Sequence, residues 1–267
     1  MMGELTLGQY YPSNSILHKL DPRVKFLGTM IYIIAIFFVK GVIGNLFCAL
    51  ALLALIGLSK VPFRYVLKSL KPIFFILAVT MLFNLFLTPG TVVWHWWIFT
   101  ITEEAIRQAL RMGARLVLLV AGSSIMTLTT TPNALTDAME NLFSFLKVIK
   151  VPVHEISMMM SIALRFIPIL TEETDKIRKA QMARGADFET GGLMKRLRAM
   201  IPILVPLFVS AFRRANDLAL AMEARCYHGG AGRTQMKPLR YGRRDYIAYA
   251  IAAAYLVACI VLGRFGF

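Results

Sequence analysis

Long stretches of this sequence contain no charge. Residues 72–101 and 246–263 have no Lys, Arg, Asp or Glu, and runs 26–39 and 41–58 are separated by a single charge, Lys40. Soluble domains sit nearer half apolar and scatter their hydrophobic residues; here 57% of 267 residues are apolar, and they cluster. That excludes an ordinary soluble fold, because runs near the roughly 20 apolar residues of a membrane-spanning helix have no place in one. The sequence has no Gly-Lys pair, hence no Gly-x-x-x-x-Gly-Lys phosphate loop and no ATP binding by that device. Asp and Glu are missing from the apolar runs, which argues against an acid-based proton relay through them. The four histidines, His18, His95, His154 and His228, are scattered, none with a second ligand at helical spacing, so no metal site is expected. Three cysteines, with Cys48 and Cys259 inside apolar runs and Cys226 outside them, exclude a disulfide framework and lack metal-ligand spacing. No Ser or Thr has a paired base, so no catalytic constellation emerges. Residues 1–25 are mixed and polar, without the short apolar core and small-residue site of a cleavable signal.

What is present predicts an all-α membrane protein of about five transmembrane helices plus a cytoplasmic region of amphipathic helices over 129–244. Four spans fall at about 24–40, 42–59, 70–88 and 105–128, within an N-terminal region 1–128; a fifth lies in 245–267. Basic residues fix the expected orientation. Lys19, Arg23 and Lys25 precede the first run, and Lys60, Arg64, Lys68 and Lys71 follow the second, whereas 88–104 carries Glu103 and Glu104 but no Lys or Arg. Lys and Arg accumulate in cytoplasmic loops. The N-terminus, the 59–71 loop and the region 129–244 are therefore expected in the cytoplasm, and 88–104 and the C-terminus outside. Trp94, Trp96 and Trp97 then fall where an interfacial aromatic belt belongs. The net charge of +15 follows from this topology rather than from nucleic acid, since 18 of the 30 basic residues lie in 129–244. Arg107, Arg111 and Arg115 share one face of the fourth span, with Arg115 about 12 Å along it from Arg107. Two readings stay open there: snorkelling to the outer interface, or a face lining the bundle interior.

The region 129–244 reads as helix. Thr131-Pro132-Asn133 opens a short one, expected over 132–148, with Pro in its first turn. A longer helix follows over 153–185, with Met159, Met160, Ala163, Phe166, Ile167, Leu170 and Thr174 on one stripe and a kink expected at Pro168. Gly185 and Gly191-Gly192 end it. A second long helix is expected over 193–228, with Leu207, Phe208, Ala211, Ala215, Leu218 and Met222 at helical spacing past Pro202 and Pro206. Periodicity alone leaves two meanings: soluble core, or an adaptable, Met-rich binding face at the membrane interface.

The two long helices end alike. One closes Ala180-Gln181-Met182-Ala183-Arg184-Gly185, the other Ala221-Met222-Glu223-Ala224-Arg225-Cys226, so each reads Ala-x-x-Ala-Arg-small with the arginines 41 residues apart. Small residues leave a narrow ridge, and arginine adds a planar five-donor fork for a carboxylate. The plainer reading is that alanine forms helices well and arginine suits a helix C-terminus. Repetition at equivalent helix ends favours two docking tips, suited to a partner with two similar grooves.

At these residues the chain resembles the transmembrane T component of energy-coupling factor transporters, related to the membrane subunit of cobalt and nickel uptake systems. The resemblance covers nearly the whole chain: Ser15-Ile16-Leu17-His18-Lys19-Leu20-Asp21-Pro22-Arg23-Val24-Lys25 near the start, Thr130-Thr131-Pro132, Ala163-Leu164-Arg165-Phe166-Ile167-Pro168, and both Ala-Arg tips. It implies a non-catalytic scaffold in a bacterial plasma membrane that couples two ATP-binding cassette ATPase subunits to a substrate-binding membrane S component. By that likeness Ala183, Arg184, Gly185, Ala224, Arg225 and Cys226 dock the ATPases, and Met159, Met160, Ala163, Phe166, Leu207, Phe208 and Ala211 contact the S component. ATP and Mg would belong to the ATPases, with no cofactor on this chain. The family's second tip usually reads Ala-Arg-Gly. Cys226 keeps the residue small, so docking is expected to survive, but a turn needing positive φ is disfavoured there.

The substrate, a vitamin or a transition-metal ion, would sit on another chain. A self-contained secondary transporter or channel is the alternative; it should carry inverted repeats or polar residues at mid-span, and neither is visible. A membrane-bound enzyme would need clustered His, Asp or Glu at the interface.

Overall fold

The computed structural model describes residues 10–39, 41–89, 91–96, 99–188, 192–230, 236 and 238–264. Lys40, Trp97 and Gly191, named above, lie outside them. The helices are α1 (Pro22–Phe38), α2 (Val42–Ser59), α3 (Phe63–Leu70), α4 (Phe74–Leu87), α5 (Glu103–Thr129), α6 (Pro132–Leu142), α7 (Val153–Ala183), α8 (Leu193–Ala224) and α9 (Arg243–Arg264). They fall into two compact units, one holding residues 8–138 and 239–267, the other 139–238.

The chain is a membrane protein of the all-α class, with one short hairpin among its described residues. Five of the described helical segments are long and apolar enough to cross a membrane: Val42–Ser59, Phe63–Phe86, Glu103–Thr129, Val153–Ala183 and Arg243–Arg264. The number agrees with expectation, but the set differs. At 17 residues, α1 is at the short end of a span, and α7, read from sequence as part of the coupling region, is apolar enough over part of its 31 residues to qualify. The expected 59–71 loop is mostly α3, joined to α4 by a single 3₁₀ turn at Lys71–Ile73, which holds Pro72. Between α4 and α5 a short antiparallel hairpin pairs Val92–Trp96 with Phe99–Thr102. Its β-branched and aromatic residues suit strands, and a segment without helical periodicity gave no earlier sign of it.

In the first unit α5 is the hub. α1, α2, α3 and α4 all pack on it, while α9 packs along α1 and touches α2. Small residues allow this: Ala105, Ala109, Gly113, Ala121 and Gly122 of α5 are buried, and small contact residues let helix backbones approach closely. A Cβ on Gly122 would strike the Tyr32 ring, whose hydroxyl donates to the Leu118 carbonyl of α5 at 3.0 Å. On α9, a Cβ at Gly263 would strike the Phe38 carbonyl of α1. Tyr32, Tyr255 and Phe47 stack with ring centroids 5.9 and 5.7 Å apart, tying α1, α9 and α2 together. Phe74, Phe75, Ile76 and Phe83 of α4 and Leu46, Leu50 and Leu53 of α2 stay exposed, as residues facing lipid do.

The segment Ser15–Lys25 forms a polar clamp at one end of this bundle. Asp21 caps α1 by accepting from the Arg23 backbone N–H, and its carboxylate takes the Arg23 guanidinium through two bonds of 3.1 and 2.9 Å. The Asp21 N–H donates to Asp245 at the start of α9 at 2.9 Å, and Arg23 lies 3.9 Å over the Tyr241 ring. Lys25 donates to the carbonyls of His18 (3.2 Å) and Thr129, the last residue of α5 (2.9 Å). One stretch of sequence thus fixes the ends of three helices.

The arginine row on α5 divides between its two readings. Arg107 pairs with Glu103 at 2.8 Å, and both are exposed. Arg115 is half-buried and donates at 2.7 Å to the Val39 carbonyl at the C-terminus of α1. It therefore faces inward as a helix cap.

Two tests follow from this packing. Replacing Gly122 with Leu should lower stability by about 1–3 kcal/mol, the usual cost of overpacking, seen as an earlier thermal transition in detergent. The Cys48 and Cys259 sulfurs lie 3.9 Å apart on α2 and α9, both buried. Copper-phenanthroline oxidation should link them, leaving Cys226 as the one alkylatable thiol under denaturing conditions; three alkylated thiols would contradict this packing.

Candidate functional site

The second unit is dominated by α7 packed on α8. Three contacts fix their direction. Gln181 donates to the Pro202 carbonyl at 3.1 Å, and Arg214 pairs with Glu173 at 3.3 Å. Met158 and Ile162 share a cavity of about 580 Å³ with Leu218, Met222 and Arg225. As residue numbers rise on one helix they fall on the other, so the helices are antiparallel and their C-terminal tips lie at opposite ends of the pair. Arg225 lies beside Met158, 26 residues back along α7 from Arg184. At about 1.5 Å per residue the two arginines are on the order of 40 Å apart.

Both tips have one geometry. α7 ends at Ala183 with Arg184 as C-cap (φ −87°, ψ 6°), and α8 ends at Ala224 with Arg225 as C-cap (φ −93°, ψ 13°). The next residue is left-handed in each, Gly185 at φ 88° and Cys226 at φ 56°. Two backbone bonds close each turn: Gly185 to Met182 (3.0 Å) and Ala186 to Gln181 (3.0 Å) in the first, Cys226 to Glu223 (2.8 Å) and Tyr227 to Met222 (3.0 Å) in the second. These are the paired bonds of a Schellman ending, which satisfies carbonyls the helix leaves open. The left-handed turn is therefore kept although Cys226 stands where glycine would be easiest. In both, the turn ends the helix at arginine, and Ala183, Arg184, Gly185, Ala224, Arg225 and Cys226 are all exposed.

The seven residues expected to meet a second membrane partner divide. Met159, Met160, Ala163 and Phe208 are exposed, while Phe166, Leu207 and Ala211 are half-buried. Along α8 a further stripe, Met194, Leu197, Ile201, Val205, Phe208 and Phe212, is 52–67% exposed. Such a run at helical spacing is an apolar face open to lipid or to an apolar partner. Sequence reading found Phe208 and missed the rest, because α8 is apolar on two sides and periodicity was read on one.

The family described as cobalt transport protein, CbiQ, matches residues 13–237. A protein of Ruminiclostridium cellulolyticum named energy-coupling factor transporter transmembrane protein EcfT is 51% identical over 262 residues, 98% of each chain. Proteins of the same name from Acidaminococcus fermentans (50% over 259 residues, 96% of each) and Limosilactobacillus fermentum (46% over 267 residues, 98% of this chain and all of the relative) match as fully.

The chain belongs to the CbiQ/EcfT family.

In this CbiQ/EcfT protein the polar partners of the tips were not legible in the sequence. Pro206 has no N–H, so the Pro202 carbonyl loses its intrahelical donor four residues on; Gln181, three residues before Arg184, supplies one. At the other tip the His154 ring lies against Gly230, where a Cβ would strike it, and its Nδ1 is 2.7 Å from Glu140. The signal for the first was Pro206 itself, since a proline inside a helix leaves the carbonyl four residues earlier in need of a donor. Nothing local marks the second.

The left-handed turn at Cys226 gives a direct check. Cys226→Gly relieves strain of about 1–2 kcal/mol and adds an entropic cost of about 0.5–1 kcal/mol. Stability in detergent should rise by about 0.5–1 kcal/mol in thermal or denaturant unfolding; a fall would mean that the turn is not held in solution.

Proposed function

We propose that this multi-pass membrane protein is the coupling scaffold of an energy-coupling factor transporter. It binds a pair of cytoplasmic ATP-binding cassette ATPases and transmits their movement to a membrane S component, which holds a micronutrient, a vitamin or transition-metal ion. The observation that carries this reading is the pair of identically capped, exposed arginine tips, Ala183-Arg184-Gly185 and Ala224-Arg225-Cys226. Two equivalent tips on the order of 40 Å apart fit a partner with two equivalent grooves, and an arginine fork seated on a carboxylate keeps its grip through a conformational cycle better than an apolar contact, being charge-assisted and directional. The exposed apolar faces of α7 and α8, Met159, Met160, Ala163 and Phe208 among them, are then the surface that slides against the S component. In this reading ATP and Mg are held by the ATPases, this chain does no chemistry, the N-terminus and the 129–244 region face the bacterial cytoplasm, and the C-terminus lies outside.

Reversing charge at both tips tests the assignment. Removing one partner of a close charge pair costs about 2–5 kcal/mol, so Arg184→Glu with Arg225→Glu should release the ATPase pair on purification and abolish uptake while membrane insertion is unchanged. Full uptake by that double variant would overturn the docking role. Substrate transport by the chain reconstituted alone would instead favour a self-contained transporter.

A further inference from the structure

Arginine tips transmit force only if the helix ends behind them are stiff, and Schellman turns alone leave the last turn free to fray. Each tip has a separate fastening, a hydrogen bond at one and a close ring contact at the other. At the first, Gln181 sits one turn before Arg184 and its amide donates to the carbonyl that Pro206 leaves without an intrahelical donor. The tip of α7 is thereby bonded to the middle of α8. At the second, the chain past Arg225 runs through Gly229, left-handed at φ 95°, to Gly230, which lies flush on the His154 ring. A carboxylate can only accept, so with Glu140 ionised the His154 Nδ1 carries the hydrogen and donates at 2.7 Å. The His154 and Glu140 side chains are 26% and 15% exposed, and His154 Nε2 has no hydrogen-bond partner among the described residues. The ring is thus oriented from one side by Glu140, and its Cδ2 side lies against Gly230.

We propose that Gln181 and His154 are positioning residues, one for each tip: Gln181 fastens the Arg184 tip through the Pro202 carbonyl, and His154, held by Glu140, fastens the Arg225 tip through Gly230. The two fastenings share no residue and lie at opposite ends of the α7–α8 pair, so each acts on its own tip alone. The proposal rests on reading these tips as docking points, but the fastenings can be tested with no ATPase present, so its failure is distinguishable from failure of that reading.

Nitroxide labels report tip mobility directly in the purified chain. Cys226 is exposed while Cys48 and Cys259 are fully buried, so the native chain takes its label at the second tip; Gly185→Cys with Cys226→Ser moves it to the first. Gln181→Glu is nearly isosteric and removes the donor. Losing one hydrogen bond of typical net strength raises the unfastened population about fivefold, and Gln181→Glu should produce that rise in the mobile spectral component at residue 185 and none at 226. His154→Ala should do the reverse. Equal loosening of both tips by either substitution would mean a general loss of packing and would overturn the proposal, as would no change at the partnered tip. As a second readout, Pro206→Ala returns an N–H to compete for the Pro202 carbonyl, and it too should loosen residue 185 and spare 226.

Discussion

Every helix leaves four carbonyls at its C-terminus without an intrahelical donor, and in or beside a bilayer there is little water to take them. Side chains and turns of this chain take several. Lys25 reaches the last residue of α5, Arg115 reaches the end of α1, and left-handed turns fold back on the ends of α7 and α8. Where a proline creates the same vacancy inside α8, Gln181 fills it. A family of long helices with few polar side chains spends those side chains at helix ends, and the positions of the ends decide what the protein can do.

Close approach is the second requirement. α5 can serve four neighbours because its buried face is built from alanine and glycine, and α1 can lie against α9 because Gly263 clears the Phe38 carbonyl. Van der Waals contact, rather than hydrophobic transfer, holds helices together in lipid, so the absence of a methyl group there counts for more than its presence would. The clamp from Asp21 to Asp245 then locks one end of the bundle with hydrogen bonds in a place where an unpaired charge would be costly. The stretch Ser15–Lys25 carried part of the family resemblance, and its tertiary role is to join α1, α5 and α9.

In the other unit the helix pair is long, antiparallel and apolar on its uncovered side, and each helix ends in an exposed arginine. That arrangement keeps the two arginine endings far apart with an apolar surface between them, which is what the proposed coupling role requires. A coupling element needs both: points that are gripped, and a face that slides. The use of Cys226 in a left-handed turn shows how firmly the ending is imposed, since the residue accepts an unfavourable backbone region so that the second tip matches the first.

Much of this was legible in the sequence. Runs of uncharged residues specify spans because burying charge in lipid is prohibitive, and the repeated Ala-x-x-Ala-Arg-small pattern marked both tips because helix endings depend on a few adjacent residues. The hairpin at Val92–Trp96 and Phe99–Thr102 escaped, being short and tied to its own partner strand. So did helix α3 in an expected loop, and the inclusion of α7 among the helices apolar enough to span. Which of Arg107 and Arg115 faces inward could not follow from a spacing that puts both on one side of α5; it depends on where α1 ends in space. Local composition and hydrogen bonding set the helical membrane class and the two helix endings at arginine, and these could be read without the fold. What lies beside those endings depends on packing: Gln181 with Pro202 and His154 with Gly230 are distant in the chain, and a donor meets a carbonyl, or a ring a glycine, only once α7 and α8 are paired.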